Sequence, residues 1–179
     1  MELLQYSPLA CRTARLMEPK LDMAHAVLGL VSEIAELREA VVFRDREKIL
    51  DEAGDIMWYW NLAVLSLEAD IGQLDASVKI IRTDDNRSLM DAVDTLYTFA
   101  ATLSDVSKKR LITDRVDDVR RMKALNALGC ILYNILQILF KCQYDLRECL
   151  RFNIDKLSAR YPDLKFEVER CLNHGGATV

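Results

Sequence analysis

The placement of proline is the feature that most constrains the fold of this chain. Proline occurs only at positions 8, 19 and 162, so the interval 20–161 lacks the residue that most strongly breaks helices. Neither Asn-Gly nor Asp-Gly, the dipeptides most typical of a tight β-hairpin turn, occurs anywhere in the 179 residues. A long interval with neither signal favours helices over strands. The sequence therefore predicts an all-α protein.

The spacing of apolar residues indicates where the helices lie. Leu30, Ile34, Leu37 and Val41 follow one another at intervals of three and four, which is the period of one helix face. Similar patterns, separated by short polar stretches such as 82–87 (RTDDNR), predict an antiparallel helical bundle. The predicted helices cover approximately 21–43, 47–69, 88–108, 114–141 and 145–160.

Composition bounds the size and the partners of the protein. With 51% hydrophobic residues the chain can bury one sizeable core, so we expect a single domain over 1–179. The formal net charge of −4 argues against binding of nucleic acid. The longest apolar run, about 131–140, is too short to cross a bilayer, so no membrane association is expected. Apolar helix faces left exposed in such a bundle are expected to bind a second copy, giving a homodimer or a higher homo-oligomer.

Cysteine usage indicates a reducing compartment. The five cysteines form no C-x-x-C pair and are odd in number, which favours free thiols over a disulfide framework. We therefore expect a cytoplasmic protein.

Two pairs of acidic residues, each three positions apart, lie on neighbouring predicted helices. Glu33 and Glu36 belong to the first long helix, and Glu52 and Asp55 belong to the second. The short turn between these helices makes 21–72 an antiparallel hairpin, so the two pairs can face each other. Four carboxylates in one cleft repel one another unless a cation compensates them, and oxygen ligands of this kind suit Mg²⁺ or Mn²⁺. The hairpin therefore predicts a divalent-cation site.

Neighbouring residues distinguish these acids from an ordinary solvated helix face. An E-x-x-E pair alone is usually exposed, but here the second pair continues into Tyr59 and Leu62 on the same face. Gly54 lies in mid-helix, where it costs about 1 kcal/mol relative to alanine, which suggests close approach by another group. A di-iron centre would need Glu-x-x-His pairs, and no histidine follows these acids at that spacing.

The order of these motifs resembles that of a known enzyme family. The first acidic pair followed by the second resembles the E-x-x-E…E-x-x-D signature of the MazG-like all-α nucleoside triphosphate pyrophosphohydrolases, in particular the bacterial and bacteriophage members. Residues 153–162 resemble the closing N-x-x-K-L-x-x-R-Y-P segment of that family. The similar segments are 25–41 (HAVLGLVSEIAELREAV), 51–60 (DEAGDIMWYW) and 153–162 (NIDKLSARYP).

The resemblance implies a reaction and a set of ligands. Members of this family hydrolyse a nucleoside triphosphate between the α and β phosphates, with Mg²⁺, and release the monophosphate and pyrophosphate. We expect a deoxynucleoside or noncanonical triphosphate as substrate, and a role in sanitising the nucleotide pool. The residues implied as metal ligands and catalytic groups are Glu33, Glu36, Glu52 and Asp55. The residues expected to bind substrate are His25, Trp58, Tyr59, Asn153, Lys156, Arg160 and Tyr161.

Several of these substrate-binding assignments have a structural alternative. Lys156 and Arg160, four apart on the closing helix, would bind phosphates, but they could equally form an exposed basic face. His25 could bind the base or simply pack between helices, and Tyr161 could be a packing residue at a helix end. Trp60 belongs to the same aromatic run, and core packing explains it at least as well as a base pocket.

One long segment departs from the family pattern. In simple members the closing helix follows soon after the second acidic helix, whereas about 76–141 intervenes here. The segment could contain a degenerate second hairpin, over 88–145, that packs against the first hairpin within one chain. It could instead be an insertion that covers the site.

The interpretation of this segment as a second copy of the hairpin depends on a weak sequence similarity. Alignment of Gly129 with Gly54 puts Cys130 at the position of Asp55 and Ala127 at that of Glu52. The acidic pair in 91–94 (DAVD) would then correspond to the first acidic pair. The second copy would then lack half of its ligands and serve as a scaffold. A worn repeat also leaves open an alternative function, a non-catalytic helical module that binds a nucleotide or a protein.

Overall fold

The computed structural model describes residues 1–79, 86–163 and 165–167, and it confirms the all-α fold. This described part of the chain forms seven α-helices and no strand. In chain order they are α1 (Leu3–Cys11), α2 (Pro19–Phe43), α3 (Arg46–Ser66), α4 (Ile71–Lys79), α5 (Leu89–Thr113), α6 (Asp118–Lys141) and α7 (Leu146–Arg160).

The hairpin that carries the acidic pairs is defined by local signals at its ends. Pro19 is the first residue of α2, a position where its missing N–H is not needed. Beyond the end of α2, Arg44 has a left-handed φ of 57°, and the chain turns immediately. Asp45 then caps α3 by accepting a hydrogen bond from the Lys48 N–H at 3.0 Å. Such a short connection makes α2 and α3 antiparallel neighbours.

Short polar side chains also cap the later long helices. Ser88 and Asp91 form a capping box at the start of α5, while Asp117 and Asp145 cap α6 and α7. α7 ends two residues before a proline, which disfavours helical geometry in the residue that precedes it. These signals are local, so the long helices lie close to their predicted positions.

The helices pack as a bundle around one core. α2 lies against α3 and α5, α5 pairs with α6, and α3 also contacts α6 and α7. Large side chains at the centre, among them Leu30, Ile34 and Trp60, are fully buried. Trp60 donates its indole N–H to the Leu128 carbonyl at 2.8 Å and so joins α3 to α6. The packing role, rather than a place in a base pocket, therefore accounts for Trp60.

Two short helices and one boundary differ from the prediction. The sequence pattern gives no sign of α1, because Pro8 lies inside it. The second predicted helix continues to about residue 69, whereas α3 ends at Ser66 and α4 follows as a separate helix. The break is local, because the Asp70 carboxylate accepts a hydrogen bond from the Gly72 N–H at 2.8 Å and starts the new helix.

One cysteine and one predicted turn extend beyond the residues that the structure describes. Cys171 and most of the predicted turn 82–87 lie outside them. Within the described ranges, the cysteines Cys11, Cys130, Cys142 and Cys149 are free thiols.

By length and composition alone, α6 could cross a membrane, and among the described residues no other helix meets this test. Its most apolar window has a mean hydropathy of 1.4, and 56% of that window is buried inside the bundle. Its isoleucines Ile131, Ile135 and Ile138 are fully buried. The core helix of a helical bundle has the same properties, so α6 gives only weak support for a membrane span.

The hairpin formed by α5 and α6 packs beside the first, with α2 against α5 and α3 against α6. The residues of this second hairpin that would correspond to the two acidic pairs lie at different heights along α5 and α6. At about 1.5 Å per residue, Asp91 lies roughly 33 Å from the end of α5, whereas Cys130 lies roughly 18 Å from the start of α6. This register does not support the correspondence of 91–94 with the first acidic pair. The packing of the two hairpins fits either origin of the segment.

Candidate functional site

A cleft of about 830 Å³ opens where α2, α3 and α7 meet. It brings together every site residue predicted from the sequence except Asn153. The predicted residues that line it are Glu33, Glu36, Glu52, Asp55, His25, Trp58, Tyr59, Lys156, Arg160 and Tyr161.

Three glutamates form the acidic end of the cleft. Glu33 and Glu36 extend from α2, and Glu52 extends from α3 across the hairpin. One carboxylate oxygen from each residue lies within 4.8 Å of the other two. Glu52 is buried, Glu33 is half-buried and Glu36 is exposed, so the cluster reaches from the core to solvent.

Burial and mutual repulsion make these carboxylates hard to ionise together. Burial, with the added charges of Asp55 and Glu36, raises the pKa of Glu33 to about 7. Burial, with the charges of Glu36 and other neighbouring carboxylates, raises the pKa of Glu52 to about 8. Lys48 approaches Glu52 at 3.9 Å, but its side chain is 44% exposed and compensates little. A cluster in this state takes up protons or a cation.

Asp55 stands beside the glutamate cluster, and both of its oxygens are engaged. Its Oδ1 accepts a hydrogen bond from Asn153 Nδ2 at 2.9 Å, and its Oδ2 pairs with Lys156 Nζ at 2.6 Å. Burial raises the pKa of Asp55, although Lys156 acts in the opposite direction. In this conformation Asp55 is held by the protein rather than open to a ligand.

Asn153 lies behind the cleft rather than in it. Its side chain is fully buried, and its Oδ1 accepts a hydrogen bond from the Tyr6 hydroxyl at 2.8 Å. That bond leaves Nδ2 to donate to Asp55, so Asn153 positions a predicted ligand from inside the bundle. In this conformation the buried Asn153 side chain does not reach the cleft, so it cannot make the predicted contact with substrate.

The close approach of Asn153 also explains Gly54. A Cβ added at Gly54 would lie 3.0 Å from the Asn153 Cβ. The glycine therefore lets α7 pack tightly against α3, which is the approach that its mid-helix position suggests.

Asp51 belongs to the site, although the acidic motifs do not single it out. It lies on α3 one turn before Asp55, and its carboxylate also pairs with Lys156. Burial lowers the pKa of Lys156, but Asp55 and Asp51 outweigh this effect and raise that pKa above its usual value. The spacing of Asp51 and Asp55 is the signal that could have identified it, because residues four apart share a helix face.

Two arginines and a tyrosine line the cleft together with Lys156. Arg160, one turn further along α7, and Arg15, in the segment after α1, both line the cleft. Neither arginine side chain makes a hydrogen bond or an ion pair with another residue in the described ranges. Tyr161 is buried, and its ring lies 6.2 Å from that of Phe166, so packing accounts for most of its surface.

Three rings form the other wall of the cleft. His25, Trp58 and Tyr59 meet edge to face, with ring-centre distances of 4.8 to 6.0 Å. Trp58 is fixed by its indole N–H, which donates to the Ala10 carbonyl at 3.2 Å and to the Thr13 hydroxyl at 2.9 Å. α1 therefore holds this wall in place.

The other two rings differ in how they are held. Tyr59 packs on Gly29, where an added Cβ would lie 2.1 Å from the ring. Burial lowers the pKa of His25, against the opposing charge of Asp22, so the imidazole is neutral at pH 7. The buried Nδ1 of His25 has no hydrogen-bond partner within the part of the chain that the structure describes. It can exchange a hydrogen bond with a ligand in the cleft.

The donor set of the acidic cluster suits a hard divalent cation. Mg²⁺ binds carboxylate oxygens at about 2.0–2.1 Å in octahedral geometry, so its ligand oxygens lie about 3–4 Å apart. Small side-chain rotations would bring oxygens that lie within 4.8 Å of one another to that spacing. All the donors in this described cluster are carboxylates, which favours Mg²⁺ or Mn²⁺ over Zn²⁺.

The chain matches no protein-family model, and neither curated proteins nor solved structures gave a match. The resemblance to the MazG-like family therefore rests on its motifs. The geometry of the cleft has to support any functional conclusion.

Proposed function

We propose that the chain is a Mg²⁺-dependent nucleoside triphosphate pyrophosphohydrolase of the MazG-like type. The observation that carries this proposal is that one cleft joins three clustered glutamates to basic side chains and to an aromatic wall. A nucleoside triphosphate needs these three environments, since its base is flat and its polyphosphate is strongly anionic. The cleft volume of about 830 Å³ lies within the range of about 300–1,000 Å³ that is typical of small-molecule sites.

The polyphosphate would lie between α7 and the acidic cluster. Lys156 and Arg160 would bind phosphate oxygens, and a planar guanidinium suits such a pair of acceptors. Glu33, Glu36 and Glu52 would hold the cation that bridges the protein to the phosphates. The basic side chains come from the closing helix and the acids from the hairpin, so substrate would contact both.

The base would lie against the wall formed by His25, Trp58 and Tyr59. All three side chains line the cleft, and aromatic surface stacks with any base. The free Nδ1 of His25 adds a polar group that can discriminate between bases. The wall fits the base of a nucleoside triphosphate, and the family resemblance leads us to expect a deoxynucleoside or noncanonical one.

The proposed reaction is hydrolysis of the α–β phosphoanhydride. A water oxygen attacks the α phosphorus in line, the bond to the bridging oxygen breaks, and pyrophosphate leaves. The products are the nucleoside monophosphate, pyrophosphate and a proton. Mg²⁺, when bound, neutralises phosphate charge and makes water more acidic. A carboxylate of the cluster would orient the water.

Product analysis tests the proposal. The purified chain is incubated with deoxynucleoside and noncanonical triphosphates in Mg²⁺, and we expect pyrophosphate, not orthophosphate, to be released. Glu52→Gln should reduce turnover by at least about 100-fold because it removes a charged ligand. Glu39→Gln, on the exposed face of α2, is the matched control and should keep full activity. Release of orthophosphate, or no turnover with any divalent cation, would contradict the proposal.

Metal titration separates the enzyme from the alternative of a non-catalytic nucleotide- or protein-binding module. A ligand that binds only the folded state raises its melting temperature. We expect Mg²⁺ or Mn²⁺ to raise that of the wild type. A module without metal affinity would show no such change.

We also propose that the protein is a cytoplasmic homo-oligomer that binds neither nucleic acid nor membrane. The free thiols support a reducing compartment, and the net charge of −4 does not favour nucleic acid. Leu28 and Phe43 on α2 are 73% and 72% exposed, which supports contact with a second copy.

A further inference from the structure

The partners of Lys156 are unexpected for a residue that would bind phosphate. Its Nζ pairs with both Asp51 and Asp55, at 2.6 Å from the Oδ2 of Asp55. The Lys156 side chain lines the cleft and is 37% exposed. Lys156 therefore neutralises two carboxylates of the cleft rather than standing free.

This pairing occupies the atom that would complete the metal centre. The three clustered glutamates exclude Asp55, whose Oδ1 is already held by Asn153. Oδ2 is therefore the oxygen of Asp55 that remains for a cation, and Lys156 lies on it. A divalent cation and the lysine ammonium cannot share that oxygen at close range, because like charges repel strongly in a partly buried site.

Resting on the proposed function, we propose that Lys156 is an exchangeable counterion. It holds Asp51 and Asp55 in the nucleotide-free protein. When a triphosphate enters, its Nζ moves to the phosphate oxygens and frees the Oδ2 of Asp55 for the divalent cation. Asp51 is then a positioning residue that keeps the ammonium group beside the phosphate path.

The exchange makes nucleotide and cation binding mutually dependent. The polyphosphate attracts Lys156 away from Asp55, which removes the positive charge that opposes cation binding. The cation then neutralises Asp55, which removes the negative charge that holds Lys156 away from the phosphates. Thermodynamic linkage requires the effect to be reciprocal: nucleotide strengthens cation binding by the same factor as cation strengthens nucleotide binding. Without Lys156, the cation should bind the free protein more tightly and gain less from nucleotide.

A cation titration without nucleotide tests the first consequence. Lys156→Met keeps the length of the stem and removes the charge. We expect calorimetry to show Mg²⁺ binding about five- to tenfold tighter than in wild type, because Asp51 and Asp55 are left uncompensated. Arg151→Met, exposed on the same helix and outside the cleft, is the matched control and should stay within about twofold of wild type. Unchanged or weaker Mg²⁺ binding in Lys156→Met would overturn the proposal.

A non-hydrolysable α,β-methylene triphosphate tests the second consequence, at buffered free Mg²⁺. In wild type the analogue should strengthen Mg²⁺ binding by a larger factor than in Lys156→Met. Asp51→Asn tests the same linkage in a chain that keeps Lys156, and the factor should fall at least about threefold. Equal factors in wild type and both variants would overturn the exchange.

These titrations separate the exchange from the proposed function because they need no turnover. A wild-type chain that links cation and analogue through Lys156, yet releases no pyrophosphate, would support the exchange and contradict the hydrolase. Pyrophosphate release with no change in Mg²⁺ affinity for Lys156→Met would support the hydrolase and overturn the exchange.

Discussion

Glu33 and Glu52 hold protons in the folded chain that they release when it unfolds. Burial and neighbouring carboxylates raise their pKa values to about 7 and about 8, from a usual value of 4.5. At pH values between 4.5 and these raised pKa values, the folded state therefore binds more protons than the unfolded state. The stabilisation that results is complete below pH 4.5 and is lost as the pH rises through 7 and 8.

We expect the free energy of unfolding of the metal-free protein to fall as the pH rises from about 5 to about 8. Urea denaturation at a series of pH values measures it. Glu52→Gln should flatten the dependence, whereas Glu39→Gln on an exposed face should leave it unchanged. Saturating Mg²⁺ should also reduce the fall, because the cation replaces the protons. A metal-free protein that gains stability across this interval would show that these side chains are not buried together.

The acidic pairs and their approach across the hairpin could be predicted from spacing, but the place of Asp55 outside the glutamate cluster could not. Helical period alone places Glu33 and Glu36 on one face and shows that the other pair can lie opposite. It does not show that Asp55 pairs with Lys156 instead of joining the glutamates, because that pairing depends on where α7 docks. Tyr6 escapes prediction for the same reason, since its partner Asn153 is distant in sequence.

Among the helices, the contact between α3 and α7 determines the geometry of Asp55, and it depends on a glycine. Gly54 leaves room for Asn153, whose Cβ would otherwise lie 3.0 Å from a new methyl group. Gly129 on α6 was aligned with Gly54 by sequence, yet a Cβ there would meet no atom within 4 Å in the described residues. Close packing therefore requires a glycine at position 54 but not at position 129.

The pair Gly54→Ala and Gly129→Ala tests this difference. Both changes gain up to about 1 kcal/mol of helix propensity. Gly129→Ala should keep that gain, whereas Gly54→Ala should lose about 1–3 kcal/mol to overpacking and be less stable than wild type. Urea denaturation compares the three proteins. Equal stabilisation by both substitutions would show that α7 does not approach α3 as closely as described.

Prediction of the elements succeeds where the signals are local. Caps such as Asp45, Asp117 and Asp145 fix the starts of long helices within a few residues. α1 and α4 are too short to be stable alone, so tertiary contacts decide whether they form. α1 contains a proline and still forms, because Leu3, Tyr6 and Ala10 pack into the core and the Tyr6 hydroxyl donates a hydrogen bond to Asn153 on α7.

Across the whole molecule, both hairpins contribute to one core. The buried residues of α2, α3, α5 and α6 belong to a single cluster, and Trp60 bridges α3 to the Leu128 carbonyl of α6. Neither hairpin buries its inner face alone, since α2 packs on α5 as well as on α3. The hairpin that carries the acidic pairs therefore depends on the second hairpin for stability, whatever the origin of the second hairpin.

We expect the chain to unfold in one cooperative transition. Its two tryptophans lie on α3 and report on the first hairpin, whereas far-ultraviolet circular dichroism reports on all helices, so the two urea curves should coincide. Trp60→Phe, which leaves Trp58 as the fluorophore, should shift both curves together and cost about 1–3 kcal/mol, because the Leu128 carbonyl loses the indole N–H and the smaller ring leaves a void in the core. Val119→Ala, exposed on α6, should shift neither curve. Two separate transitions would mean that the hairpins fold independently, and that the cleft does not depend on the second hairpin.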